Sequence, residues 1–218
     1  MSLDAKLIAR LEKALGVVDD HGTAGPRLID DARRLWSRVQ RFIAMGLVPA
    51  EAVEKDSLEL ASYALQLPLR RGKTLTTGKP ARATLRERAE EAAELLVTLS
   101  EDTLEESLLD RTARILHELP QRLPILDEAK LLADAVNLED FGVTGLVAQA
   151  VQLGRQGEGL TQAARGVEMR EQYGYWEARL KEGFHFEPIR QIARQRLEIA
   201  RQVAAALLSE LREDGRES

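Results

Sequence analysis

Cysteine is absent from the 218 residues. That excludes disulfides, thiolate metal sites and cysteine nucleophiles. Only three histidines occur, never paired at helical spacing, so no H-E-x-x-H metal motif exists. A P-loop and a G-x-S-x-G elbow are missing too. No apolar run approaches the roughly 20 residues that span a bilayer, and 31% of the residues are charged, which argues against a membrane protein. The N-terminus has no basic stretch leading into an apolar one, so no signal peptide is expected. With no cysteine and no export signal, the expected location is cytoplasmic. The net charge of -5 speaks against bulk electrostatic binding to nucleic acid, which shows as a basic domain.

What is present is helical periodicity. Leu7, Ile8, Leu11, Ala14 and Leu15 share one face of a helix over Leu3–Val18, and Asp19–Gly25 breaks it. A second helix runs from Leu28 to Met45, with Leu35, Val39, Phe42 and Ile43 inward and Gly46 as its stop. Pro49 opens a third that reaches Leu67, before Pro68. Leu69–Ala83 reads as a loop. Thr84-Leu85-Arg86-Glu87 has capping-box spacing and starts a helix to about Leu99. Further helices are expected over Thr103–Leu119, Asp127–Leu138, Gly142–Leu153 and Thr161–Lys181, the last interrupted by Gly174. Pro188 begins a terminal helix with Ile189, Ile192, Leu197, Ala200, Val203, Ala204, Leu207, Leu208 and Leu211 as its apolar stripe. The expected fold class is all-α: an N-terminal helical extension over 1–25 and a helical domain over 26–218.

The stretch Glu128–Gly145 carries the most specific pattern. Glu128, Ala129, Lys130, Asp134, Ala135, Leu138, Gly142 and Gly145 resemble, in register and without a gap, the motif E-A-K-x-x-x-D-A-D-R-L-D-A-x-G-x-x-G. That motif belongs to one branch of the HD superfamily of metal-dependent phosphohydrolases. Ile115-Leu116-His117 upstream and His185-Phe186-Glu187 downstream resemble the family's flanking elements. Trp36-Ser37-Arg38-Val39 and Leu58–Ala64 resemble its earlier helices more faintly. The resemblance implies an HD-like helical bundle with a metal held by an early histidine, a His-Asp pair and a distant aspartate. Those positions fall here near Leu35, near Leu65-Gln66 and at Asp134, so the His-Asp pair is missing. Asp134 alone keeps its type, and one carboxylate is too small a ligand set for a catalytic divalent ion. The motif's arginine is Asn137.

Asp134 and His117 are therefore the candidate catalytic residues, and Asp134 is the single candidate metal ligand. Asp134 also reads as a helix-end residue bonded to backbone, and His117 as a cation near a helix C-terminus. Gly142 and Gly145 read as small residues on one helix face that admit a neighbouring helix. A basic run follows the lost His-Asp position: Arg70, Arg71, Lys73, Lys79, Arg82, Arg86 and Arg88, opposed by Glu87 alone. Arginine and lysine there suit phosphate groups, so Arg70, Arg71, Lys73, Lys79 and Arg82 are the candidate substrate-binding residues. Five of the nine aromatics lie between Tyr173 and Phe186, as a satellite core or a partner surface.

Three functions follow. The first is an HD-fold protein without metal-dependent hydrolysis, binding a phosphorylated small molecule or a protein partner and needing no cofactor. The second is an active phosphohydrolase of phosphomonoesters or nucleotides, with a divalent metal in a rearranged site that adds Glu59 or Asp110. The third is a helical interaction module or homodimer without a pocket function.

Overall fold

A computed structural model describes residues 5–16, 28–71, 73–74, 80–81, 84–100, 104–155 and 157–214. Among the described residues the chain is all-α apart from one antiparallel pair, β1 (Lys73–Thr74) and β2 (Pro80–Ala81). It forms two compact units, Met1–Ala133 and Asp134–Ser218. The boundary expected at residue 25 lies outside the described residues.

The first unit holds α1 (Ala5–Leu15), α2 (Leu28–Ala44), α3 (Lys55–Ala64), α4 (Leu85–Ser100), α5 (Glu106–Glu118) and the first half of α6 (Asp127–Asn137). Leu7, Leu11 and Leu15 of α1 are buried, and α1 packs on α2, on α4 and on the 3-10 turn Leu67–Arg71. α3 lies against α2, α4 and α5. It is buried nearly all round, from Ser57 to Ala64 except Glu59. Such a helix must satisfy its polar groups internally, and Ser62 does so by donating to the Leu58 carbonyl at 2.8 Å.

The long helix expected from Pro49 to Leu67 is interrupted. Pro49 starts only a 3-10 turn, Ala50–Ala52, and Val53 is extended at φ -107°. Burial of the Val53 side chain and a hydrogen bond from the Glu54 N–H to Glu128 favour this break over a continuous helix. The capping box at Thr84 forms as the spacing predicts. Thr84 N–H donates to Glu87 Oε2 at 2.8 Å, and Glu87 N–H donates to Thr84 Oγ1 at 3.2 Å.

The second unit holds the 3-10 turn Leu138–Asp140, α7 (Val143–Arg155), α8 (Leu160–Gln172), α9 (Tyr175–Glu182) and α10 (Glu187–Asp214). α10 runs along α7, α8 and α9. Its buried residues are Ile189, Ala193, Leu197, Ala200, Ala204 and Leu208, a repeat of four and three that makes one stripe. Val203, assigned inward from sequence, is 37% exposed, and Ala193 is buried in addition. Leu146, Ala164, Val167, Ala204 and Leu208 form the α7–α8–α10 core. Among the described residues no helix is long and apolar enough to cross a membrane.

Candidate functional site

Asp134 is fully buried, and both of its oxygens are engaged. His185 N–H donates to Oδ1 at 2.8 Å and Phe186 N–H to Oδ2 at 3.0 Å. The Phe186 carbonyl accepts from the Ile189 and Arg190 N–H groups, so Phe186 stands at the N-cap of α10. Asp134 thus takes the N–H of the N-cap residue, which helix geometry leaves unpaired, and that of the residue before it, and it places a carboxylate at a positive helix end. The structure gives this side chain the backbone-bonding arrangement. Burial pushes its carboxyl up to about 7, against the two N–H donors and the charge of Arg190, which pull the other way.

Glu118 repeats the device in the first unit. Its Oε2 accepts the Ile125 and Leu126 N–H groups, each at 2.7 Å, and the Leu126 carbonyl accepts the Lys130 N–H of α6. The two carboxylates differ in their cation. Burial raises Glu118 as well, but the Leu126 N–H, the Arg114 guanidinium at 3.1 Å and the Ile125 N–H together hold it below its ordinary value. At Asp134 the cation acts only through its field, and burial wins.

The positions where the resemblance implies metal ligands do not fit a divalent ion. Leu35 and Leu65 are fully buried apolar side chains in the first unit. Gln66 is 2% exposed, and its Oε1 accepts from Arg88 Nη2 at 3.0 Å. Arg88 Nε donates to the Leu65 carbonyl at 2.7 Å. A guanidinium therefore sits at the end of α3, at the place in the sequence where the resemblance implies the His-Asp pair. Because arginine only donates, Gln66 must turn its oxygen toward it. That leaves Gln66 Nε2 buried without an acceptor among the described residues. Among the described residues no three acidic, histidine or cysteine side chains are grouped to hold a metal ion.

The rest of the motif serves the local frame. Glu128, 1% exposed, accepts from Arg111 Nη2 at 2.7 Å and from the Glu54 N–H at 3.1 Å, joining α6 to α5 and to the start of α3. Lys130 pairs with Asp127 at 2.8 Å. Asn137 donates to the Gly183 carbonyl. Gly142 lies just before α7 at φ +87°, and a Cβ there meets the Arg196 side chain of α10 at 3.2 Å. A Cβ on Gly145 meets the Asp140 carbonyl oxygen at 2.3 Å. The spacing of the two glycines predicts one helix face that admits a neighbouring helix; Gly142 instead lies before α7 and meets α10 from there, and Gly145 admits the chain's own preceding turn.

His117 is exposed on α5 in the first unit. Its carbonyl accepts from Gln121 Nε2 at 3.3 Å. Arg70 and Arg71 lie in the 3-10 turn that follows Gln66, and Lys73 lies in β1. Lys79 and Arg82 fall outside the described residues. The aromatic segment splits: Phe141, Trp176 and Phe184 are buried and pack edge-to-face at 5.2 and 5.3 Å, while Tyr173 is 81% exposed. Sequence reasoning missed Arg88, Arg111, Glu118 and Arg190 as organising groups. Arg114–Glu118 and Glu187–Arg190 have helical ion-pair spacing, but the backbone groups and distant carboxylate that these residues also meet are set by packing.

No family model and no curated protein matches the chain. Among solved structures it is similar to the crystal structure of Bacillus subtilis YpgQ in complex with ADP, at 18% identity and a TM-score of 0.57 over 94% of each chain. The all-α fold of this chain is that of the YpgQ structure.

Proposed function

We propose that this protein is an HD-superfamily relative that has given up metal-dependent hydrolysis and binds a phosphorylated small molecule, with nucleotides as the first candidates. The end of α3 is the site this reading favours. The observation that carries it is the buried Gln66 Nε2, a donor with no acceptor among the described residues, beside the fixed guanidinium of Arg88. A buried donor left unmatched costs about 1–3 kcal/mol, and a phosphate oxygen removes that cost. The cationic side chains at Arg70, Arg71, Lys73, Lys79 and Arg82 follow closely in the chain and supply charge for further phosphate oxygens. Two further facts support the reading: the Glu128–Gly145 resemblance, and the ADP held by the similarly folded YpgQ.

Calorimetric titration with ADP tests it. One molar equivalent is expected to bind with equal affinity in EDTA and in Mg²⁺, without phosphate release. Gln66→Leu is expected to weaken binding about tenfold, the equivalent of one hydrogen bond. Mg²⁺- or Mn²⁺-dependent release of phosphate that Asp134→Ala abolishes would favour the active phosphohydrolase instead.

A protein partner or second copy is the other reading that an observation favours. Val143, Val147 and Val151 are 40%, 54% and 52% exposed at successive turns of α7, an apolar row along one face of that helix. Light scattering that shows a dimer dispersed by Val147→Glu would support it.

A further inference from the structure

The second unit carries a cleft that none of the functional assignments uses. It has a volume of about 540 Å³ and lies where α8, α9 and α10 meet, with Trp176, Leu180, Lys181, Arg190, Arg194 and Arg201 among its lining residues and Glu171 and Glu177 as its carboxylates. That volume is within the range of small-molecule sites. Four cations thus face two acids, and the way each is already committed decides the free charge.

Arg201 is occupied: its Nε and Nη2 reach Glu171 Oε2 at 3.0 and 2.5 Å. Arg190 is occupied as well, through Glu187 and the Phe184 carbonyl at 2.8 Å. Arg194 reaches Glu187 only at 3.4 Å with half its side chain exposed, at the weak limit of a hydrogen bond. Lys181 is exposed and makes no ion pair among the described residues. Two cations are therefore available, one on α9 and one on α10. The apolar part of the lining is Leu180 and the nearly buried Trp176, whose Nε1 is turned inward to the Val167 carbonyl at 3.4 Å.

We propose that this cleft binds a small organic anion with a flat apolar body: the acid group lies between Lys181 and Arg194, and the ring lies along Leu180 and Trp176. The lining is more polar than apolar, so charge sets the entry and orientation and the apolar wall adds contact along one side of the ring. Glu177 disfavours dianions with a second acid at the far end of the ring.

1-Naphthyl phosphate is a suitable probe, read by quenching of Trp176 in a Trp36→Phe background. Saturable one-site quenching is expected, with a Kd of about 1 mM or tighter. Inorganic phosphate, followed by competition, and 1-naphthol, followed by quenching, are each expected to bind at least about tenfold more weakly. The exposed pair Lys181→Glu with Arg194→Glu is expected to raise the Kd about tenfold or more while leaving the circular dichroism spectrum and Tm unchanged. Equal affinity in that double variant overturns the proposal, and so does equal quenching by 1-naphthol, which marks an apolar patch only. Gln66→Leu is expected to leave the quenching intact. If it abolishes quenching, the probe sits at the end of α3 and the cleft proposal fails, whatever ADP does.

Discussion

Replacing Asp134 by asparagine separates two forces on one buried carboxylate. The side chain keeps its size, so the change removes charge and one acceptor without opening a cavity. Burial raises the carboxyl from its ordinary 3.8 to about 7, which corresponds to roughly 4 kcal/mol against the ionised form. The sign follows from linkage. The folded state holds this proton more tightly than the unfolded chain, so the group contributes its stability below pH 4 and loses it as pH rises toward 7. The asparagine variant has no proton to lose at this position. It brings a pH-independent cost of about 1–3 kcal/mol, because its NH₂ must face one of the two donors, the His185 or Phe186 N–H. The difference in unfolding free energy, wild type minus Asp134→Asn, is therefore expected to fall by roughly 4 kcal/mol between pH 4 and pH 8. Urea unfolding followed by Trp176 fluorescence, in a Trp36→Phe background, measures it. The difference cancels other groups such as Glu118. A difference that grows with pH would falsify the reasoning: the two backbone donors and the positive end of α10 would then outweigh burial.

Other substitutions test the frame around the site. Gly145→Ala is expected to cost about 2–3 kcal/mol or more, since its Cβ meets backbone at 2.3 Å. Gly142→Ala is expected to cost less, about 1–2 kcal/mol for its left-handed backbone, because the Arg196 side chain it meets at 3.2 Å can move; thermal melts giving the reverse order would contradict the geometry. Thr84→Ala is expected to lose about 1 kcal/mol of stability, and Thr84→Ser to keep most of it. Equal urea midpoints for the two would show that the capping box contributes nothing. Arg88→Ala is expected to destabilise by about 1–3 kcal/mol by releasing the Leu65 carbonyl and Gln66 Oε1, and Arg88→Lys to recover only part, since one ammonium lacks the two-pronged geometry.

Helix positions were legible where local chemistry sets them. Gly46 ends α2, Thr84 and Glu87 start α4, and Gly174 separates α8 from α9. The helix from Pro49 is shorter than its periodicity predicts, because its break depends on a bond between Glu54 and Glu128, 74 residues apart. The role of Asp134 was legible only as a pair of alternatives. A motif match identifies the residue type, but its acceptor role depends on where His185 and Phe186 arrive, 51 and 52 residues later. Arg88 was visible as one of a run of cations. That it turns inward to the end of α3 was not, because a guanidinium on a helix start looks the same facing solvent or carbonyl.

The sequence by itself determined the class of fold and showed leucine near the positions where the resemblance implies metal ligands. Apolar spacing of three and four fixes helical faces, and leucine has no lone pair to offer a cation. Tertiary structure alone decided what each buried polar atom is bonded to. Desolvation makes those pairings obligatory, yet the partners are distant in the chain. The carboxylate at the head of α10, the guanidinium at the foot of α3 and the cation-lined cleft of the second unit exist only once the helices have packed.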